Sequence, residues 1–233
     1  MTTIVVAPAN QFAAVAAQRI GELVTTSIAT SGNCRLALSG GSTPGPVLAK
    51  VATAEIEWGK VSVYFADERA VPPDAGDSNY GMIRRVFLDL VPIPATSIHR
   101  MEAERTDLDA AARDYDRLLP LALDLLLLGV GPDGHTASLF PESPALHEST
   151  RRVIAAAPPR PPIAPQVARL TITPPVIAAA RTVAVLVAGS DKAAVVAAVL
   201  GKTDGGRFPA ALARDGLWIL DRDAAAHLQP EDT

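Results

Sequence analysis

The sequence predicts an α/β fold in which a mostly parallel sheet is flanked by helices. Three observations carry that prediction: short, continuously apolar runs, stretches of three- and four-residue apolar spacing between them, and glycines where the runs end. Strands that alternate with helices imply right-handed βαβ crossovers and parallel pairing. The clearest stretch is Leu125 to Pro141, LLLLGVGPDGHTASLFP, in which four leucines read as a strand buried on both faces. A turn with three glycines follows and presents Asp133 and His135, with a helix-compatible segment after it. Such a turn lies at the carboxyl end of a parallel strand, where open α/β sheets place their crevice.

The remaining elements follow in order. Phe12, Val15, Ala16, Ile20, Leu23, Val24 and Ile28 share one helical face, and Gly32 and Asn33 end that helix. CRLALSGG is a buried strand running into glycines; STPGPVLAKV starts a helix with Ser or Thr as its cap and Pro44 in the first turn. VSVYFADER is a strand ending in charge. Helices are expected around Ser78 to Leu90, with Ser78 or Asn79 as cap, and over Asp107 to Leu119. RRVIAAA is a short strand, and PPRPPIAPQ an extended loop because its prolines admit little else. ARLTIT and TVAVLVAG are strands; SDKAAVVAAVL is a helix with Ser190 as N-cap, and GLWIL a last strand.

Of the 233 residues, 48% are hydrophobic and 20% charged, enough for a core and without a signature of disorder. With no internal repeat or interdomain linker, residues 1–233 are expected to form a single domain. A net charge of −4 argues against a general nucleic-acid binder and against anionic membrane surfaces. An anionic substrate would need a local positive pocket. Cys34 stands alone, which excludes an internal disulfide and cysteine zinc sites; it opens an apolar run and reads as a small buried residue. The start lacks a basic signal region, and no apolar run approaches a membrane span, so a soluble, cytoplasmic protein is expected.

Four segments share one design, a buried strand delivering polar residues into a turn. Ser39, Gly40, Gly41, Ser42, Thr43 and Pro44 can cradle a phosphate on backbone N–H groups and hydroxyls at a helix start, although many capped turns look alike. They match neither the NTP P-loop nor the dinucleotide fingerprint. Asp67, Glu68 and Arg69 suggest a charged cluster at the sheet edge; on spacing alone a surface salt-bridge group reads equally well. Lys192, after Gly189, Ser190 and Asp191, stands where a helix dipole disfavours a cation, so it calls for an anion, either a bound phosphate or neighbouring Asp191. The fourth segment is the Asp133/His135 turn. His99, His147 and His227 have no comparable setting, and the histidine spacing indicates no metal site.

At these residues the chain resembles the 6-phosphogluconolactonases, within a wider group that includes glucosamine-6-phosphate deaminase and ribose-5-phosphate isomerase. The matching motifs are SGGSTP (39–44), DERAVP with DSNYG (67–72, 77–81), GVGPDGHTASLFP (129–141), RLTIT (169–173) and GSDK (189–192). One departure is the segment before RLTIT, which is longer and more irregular than the family pattern. The resemblance implies a Rossmann-like three-layer fold, no cofactor and no metal. It also implies hydrolysis of 6-phospho-D-glucono-1,5-lactone, the second step of the oxidative pentose phosphate pathway. His135 would activate water, and Asp133 would orient that histidine or stay ionised to favour its imidazolium. Arg69 or backbone N–H groups would receive the oxyanion, with Asp67 in the same catalytic set. Ser39, Gly40, Gly41, Ser42, Thr43, Asn79, Arg169 and Lys192 would hold the substrate and its phosphate. Two alternatives stand beside it. A glucosamine-6-phosphate deaminase-like isomerase would share the cradle, but GPDGHTASLFP is a lactonase motif. A non-enzymatic sugar-phosphate-binding module would have no use for His135. A monomer or weak homo-oligomer is expected.

Overall fold

The computed structural model describes residues 2–159, 165–201 and 205–229, so most of the expected proline loop (residues 160–164) lies outside the described residues. The predicted alternation is present. β1 (Thr3–Ala7) leads into α1 (Phe12–Ser31), β2 (Cys34–Leu38), α2 (Pro44–Val51) and β3 (Val61–Phe65). After β4 (Asp67–Arg69) come α3 (Asn79–Val86), α4 (Leu108–Leu118), β5 (Leu125–Gly129) and β6 (Val153–Ala156). β7 (Arg169–Ile172), α5 (Pro174–Ala179), β8 (Val183–Val187), α6 (Ala193–Leu200) and β9 (Leu217–Asp221) complete the order.

Six strands form one sheet in the order β1-β9-β8-β5-β2-β3, every pair parallel. Its central strands are mostly apolar because both faces are covered; Leu36, Leu126, Leu128, Ile219 and Trp218 are almost wholly enclosed. Truncating such a leucine to alanine costs about 2–5 kcal/mol. Cys34 is fully buried at the start of β2, and that burial pushes its thiol up to about 11. Among the described residues no helix is long and apolar enough to cross a membrane.

Helix ends follow sequence chemistry in most places. The Gly32 N–H closes α1 on Ile28 O (2.8 Å), Ser78 Oγ accepts from Gly81 N (3.0 Å), and Asp107 Oδ1 from Ala110 N (2.8 Å). Elsewhere the expectations need correcting. Thr43 is already helical in its backbone, and its hydroxyl does not cap α2. Ser190 is not the cap of α6: residues Ser190–Lys192 form a 3₁₀ turn, and Lys192 occupies the cap position of α6 without a side-chain bond.

No helix follows β5. Thr136 Oγ1 donates to Gly129 O (2.8 Å), Gly131 N to His135 O (2.9 Å) and Ser138 N to Thr171 Oγ1 (3.1 Å), folding the segment back on itself. These bonds outweigh helix propensity, and Ala137 takes a left-handed conformation (φ 47°) to make the turn. The single strand expected over VSVYFADER is two strands. β3 stays in the parallel sheet, whereas β4 leaves it to pair antiparallel with β7 in a second sheet of order β4-β7-β6.

Candidate active site

β8, β5 and β2 are adjacent in the parallel sheet, so the turns after them emerge side by side at one edge. The order reverses between β2 and β5, because β2 is followed on one side by β3 and β5 on the other by β8 and β9. That is the topological position for a crevice. A cleft of about 240 Å³ opens there, with the end of the β4-β7-β6 sheet as its other wall. Ser39, Gly40, Gly41, Ser42, Thr43, Asp67, Arg69, Asn79, His135, Arg169 and Lys192 all line it; Asp133 joins through His135.

Asp133 Oδ1 lies 2.5 Å from His135 Nδ1 and also accepts from His135 N (3.2 Å). Burial alone would raise the Asp133 carboxyl, but the hydrogen bond and charge of His135 outweigh it and hold it below the usual carboxylate range. An ionised carboxylate only accepts, so Nδ1 carries the proton and Nε2 of the neutral ring is left with a lone pair. Gly131 is required for this seating: a Cβ there would come within 2.1 Å of His135 Nδ1 and 2.7 Å of Asp133 Oδ1. The Phe140 ring, 4.7 Å from the imidazole centroid, backs His135.

The Ser39–Thr43 turn meets α3 at Gly40, where a Cβ would stand 1.9 Å from Asn79 Oδ1. Asn79 Nδ2 donates to Asp67 O (2.9 Å) and Oδ1 (3.0 Å), and Ser138 Oγ donates to Asp67 Oδ2 (2.6 Å). Both Asp67 oxygens are therefore engaged, and the carboxylate holds Asn79 against the turn. Asp67 and Glu68 are buried, at 5% and 3% exposure, so the reading of residues 67–69 as a surface salt-bridge group is wrong. Their charge is met by hydrogen-bond donors within the fold.

β4 and β7 pair so that Arg69 faces Arg169 directly. Like charges opposite one another destabilise a strand pair unless an anion lies between them. Burial pulls the Arg169 guanidinium below its ordinary value; the charge of Asp67 opposes this and that of Arg69 adds to it. Arg69 Nη1 donates to Asp77 O (2.6 Å) and Arg169 Nη2 to Pro165 O (3.1 Å), but the Nε of each is buried without a partner. Ser39 Oγ and Asn79 Oδ1 are also unpartnered. Among the described residues, four of the five such atoms belong to residues of this one cleft. Buried polar groups without partners are costly, and their concentration marks where a polar ligand would sit.

On the β8 side, Asp221 at the end of β9 accepts from Gly189 N (3.0 and 3.1 Å) and fixes the turn that carries Lys192. Lys192 Nζ reaches the cleft while bonded to the Asp191 carboxylate at 2.7 and 2.8 Å. Both anions expected for this lysine are thus compatible with its place. Among the described residues, no cluster of His, Cys, Asp and Glu is arranged to hold a metal ion.

Residues 7–219 match the family described as glucosamine-6-phosphate isomerases/6-phosphogluconolactonase. The chain belongs to that family. It is similar to the 6-phosphogluconolactonase of Mycobacterium tuberculosis, with 41% identity covering 92% of this chain and 93% of that protein. The human 6-phosphogluconolactonase is 37% identical over 89% of each chain. Among solved structures, the 6-phosphogluconolactonase of Trypanosoma brucei superposes with a TM-score of 0.86 at 30% identity, covering 98% of this chain and 99% of that one. A monomeric glucosamine-6-phosphate deaminase has a TM-score of 0.84 at 19% identity and shares the fold.

Four residues of this family member brace the cleft from behind: Ser138, Phe140 and Asp221, which were not singled out from sequence, and Glu68, read there only as part of a charged cluster. Ser138 and Phe140 lie inside the GPDGHTASLFP motif, so position in the motif was their available signal. Glu68 and Asp221 act through backbone amides, and nothing in the local sequence announces such partners.

Proposed function

We propose that this protein hydrolyses 6-phospho-D-glucono-1,5-lactone to 6-phospho-D-gluconate, the second step of the oxidative pentose phosphate pathway. The observation that carries the reading is the convergence in one cleft of the Asp133–His135 pair with the Arg69–Arg169 pair and the Ser39–Thr43 turn. A lactone carbonyl is already electrophilic, so the protein must supply an activated water, oxyanion stabilisation and positioning by the remote phosphate.

In this reading His135 Nε2 takes a proton from water as the water attacks the carbonyl carbon, and Asp133 stabilises the resulting imidazolium through Nδ1. Arg69 and nearby N–H groups receive the tetrahedral oxyanion. When the intermediate collapses, the C–O bond of the ring breaks and the imidazolium returns the proton to the departing ring oxygen, which becomes the C5 hydroxyl. Ser39 to Thr43, Arg169 and Lys192 hold the phosphate, and Asn79 contributes its unpartnered Oδ1 to the sugar. Asp67 serves by holding Asn79. The reaction so written needs no cofactor and no metal. A single catalytic unit, acting as a monomer or weak homo-oligomer in the cytoplasm, completes the proposal.

The decisive assay follows lactone consumption at slightly acidic pH, where spontaneous hydrolysis is slow. Turnover of the phosphorylated lactone well above that of unphosphorylated glucono-1,5-lactone supports the reading; absence of turnover on both refutes it.

A further inference from the structure

We propose that Glu68 is a positioning residue for this reaction, one buried carboxylate that sets Arg69 and Asn79 at once. The inference rests on the lactonase reading. Glu68 is on the opposite face of β4 from Asp67 and Arg69, since side chains alternate along a strand. Its Oε1 accepts from Arg69 N (2.8 Å) and Asn79 N (2.8 Å). Its Oε2 accepts from Tyr80 N (2.7 Å) and Ser78 Oγ (3.0 Å). The carboxylate therefore joins the last residue of β4 to the first turn of α3, ten residues further along the chain. It also supplies an anion where the α3 dipole favours one.

Two consequences give this joint a role in the chemistry. Arg69 and Asn79 both line the cleft, and each has a buried polar atom without a protein partner, Arg69 Nε and Asn79 Oδ1. Groups that wait for a ligand must be held by something else, and Glu68 holds the main chain of both. The Gly40 turn leaves no slack, because Asn79 Oδ1 already occupies the place of a Cβ there. Burial raises the Glu68 carboxyl above its ordinary value, and the two α3 amides, the Arg69 amide and the Ser78 hydroxyl oppose that rise in part. Of the phosphate-holding groups, Lys192 hangs on the turn after β8, which Asp221 fixes separately.

Glu68→Gln tests this with little change in volume. All four partners donate to the carboxylate and three are backbone N–H groups that cannot accept, so the new amide NH₂ must confront at least one obligate donor whichever way it is turned. The expected result is a fall in kcat on the order of 10²-fold. It should appear equally on the phosphorylated lactone and on glucono-1,5-lactone, with the Kd for 6-phosphogluconate raised far less than kcat falls. Glu68→Asp keeps an acceptor-only group one methylene shorter and should show the same split at smaller amplitude, which also keeps the test open if the Gln variant does not fold. A crystal structure of either variant should show Arg69 and Asn79 displaced and the Asp133–His135 bond intact. An unchanged kcat, an equal loss of kcat and 6-phosphogluconate affinity, or undisplaced Arg69 and Asn79 would overturn the proposal. A wild-type protein inert on both lactones refutes the lactonase reading instead, and the crystal structures then decide whether Glu68 positions these two residues.

Discussion

The six-stranded sheet places its chemistry after its strands, whereas the three-stranded sheet places it within them. β5 and β8 are apolar to their ends, and β2 is apolar apart from Arg35 near its start, which pairs with Asp124. The polar groups of the cleft appear in the turns that follow: Ser39 to Thr43, Asp133 with His135, and Lys192. β4 is wholly charged, and β7 starts with Arg169 opposite Arg69. Parallel strands covered on both faces have little room for polar side chains, so the cleft residues sit where the backbone leaves the sheet. The small antiparallel sheet admits charge because its neighbours supply donors and acceptors, and one like-charged pair is left for an anion.

Four outcomes would break or sharpen that contrast. The largest effect belongs to the turn after β5: His135→Ala should lower kcat on the order of 10²–10⁴-fold with KM little changed, as measured by initial rates. A variant near wild-type kcat would remove His135 from the mechanism. Next comes the small sheet. Arg169→Met should weaken 6-phosphogluconate by about 3 kcal/mol, the upper range for a hydrogen bond to a charged group. Because it also relieves the repulsion with Arg69, the unliganded protein should melt no lower than wild type; a large drop in Tm would make Arg169 a stabilising residue of the strand pair. Lys192→Ala should cost nearer 1.5 kcal/mol, or roughly tenfold in Kd, because Asp191 already shares the ammonium. Hydrolysis of the unphosphorylated lactone should barely change, and equal losses on both substrates would move Lys192 to the reacting centre.

The smallest effect concerns pH and the turn after β5. The folded Asp133 carboxyl is held below its ordinary value of 3.8, so the stability it adds is present above that value and lost as pH falls through the folded one. Urea midpoints of wild type and Asp133→Asn should therefore differ at neutral pH and converge at strongly acidic pH. A constant difference would mean that Asp133 stabilises by shape rather than charge.

How much of this was legible follows from the same contrast. The turns of the large sheet could be read because an apolar run announces a strand and glycines announce its end. His135, Lys192 and the Ser39–Thr43 turn accordingly converge as expected. β1 carries little signal because TIVVA is short and half exposed, and α5 because two prolines open a helix of six residues. The break between β3 and β4 was hidden because VSVYFADER is continuous in pattern; the chain changes sheet at Ala66, whose N–H still bonds to Leu38 O (2.9 Å) while its C=O accepts from Ile172 N (2.8 Å). The absent helix after β5 reflects bonds to Gly129 and Thr171, partners that local propensity cannot register. The pairing of Arg69 with Arg169, one hundred residues apart in sequence, is a matter of register and carries no local signal.

Cys34 gives the molecule a built-in reporter. It is the only thiol in the chain, it is fully enclosed at the start of β2, and burial pushes it up to about 11. Alkylating reagents act on the thiolate, so at neutral pH the folded protein should be silent to them. Labelling then proceeds only as often as the start of β2 comes apart from its cover. The rate of thiol loss, followed with and without 6-phosphogluconate, thus counts openings of the large sheet one molecule at a time, with no probe introduced into the protein.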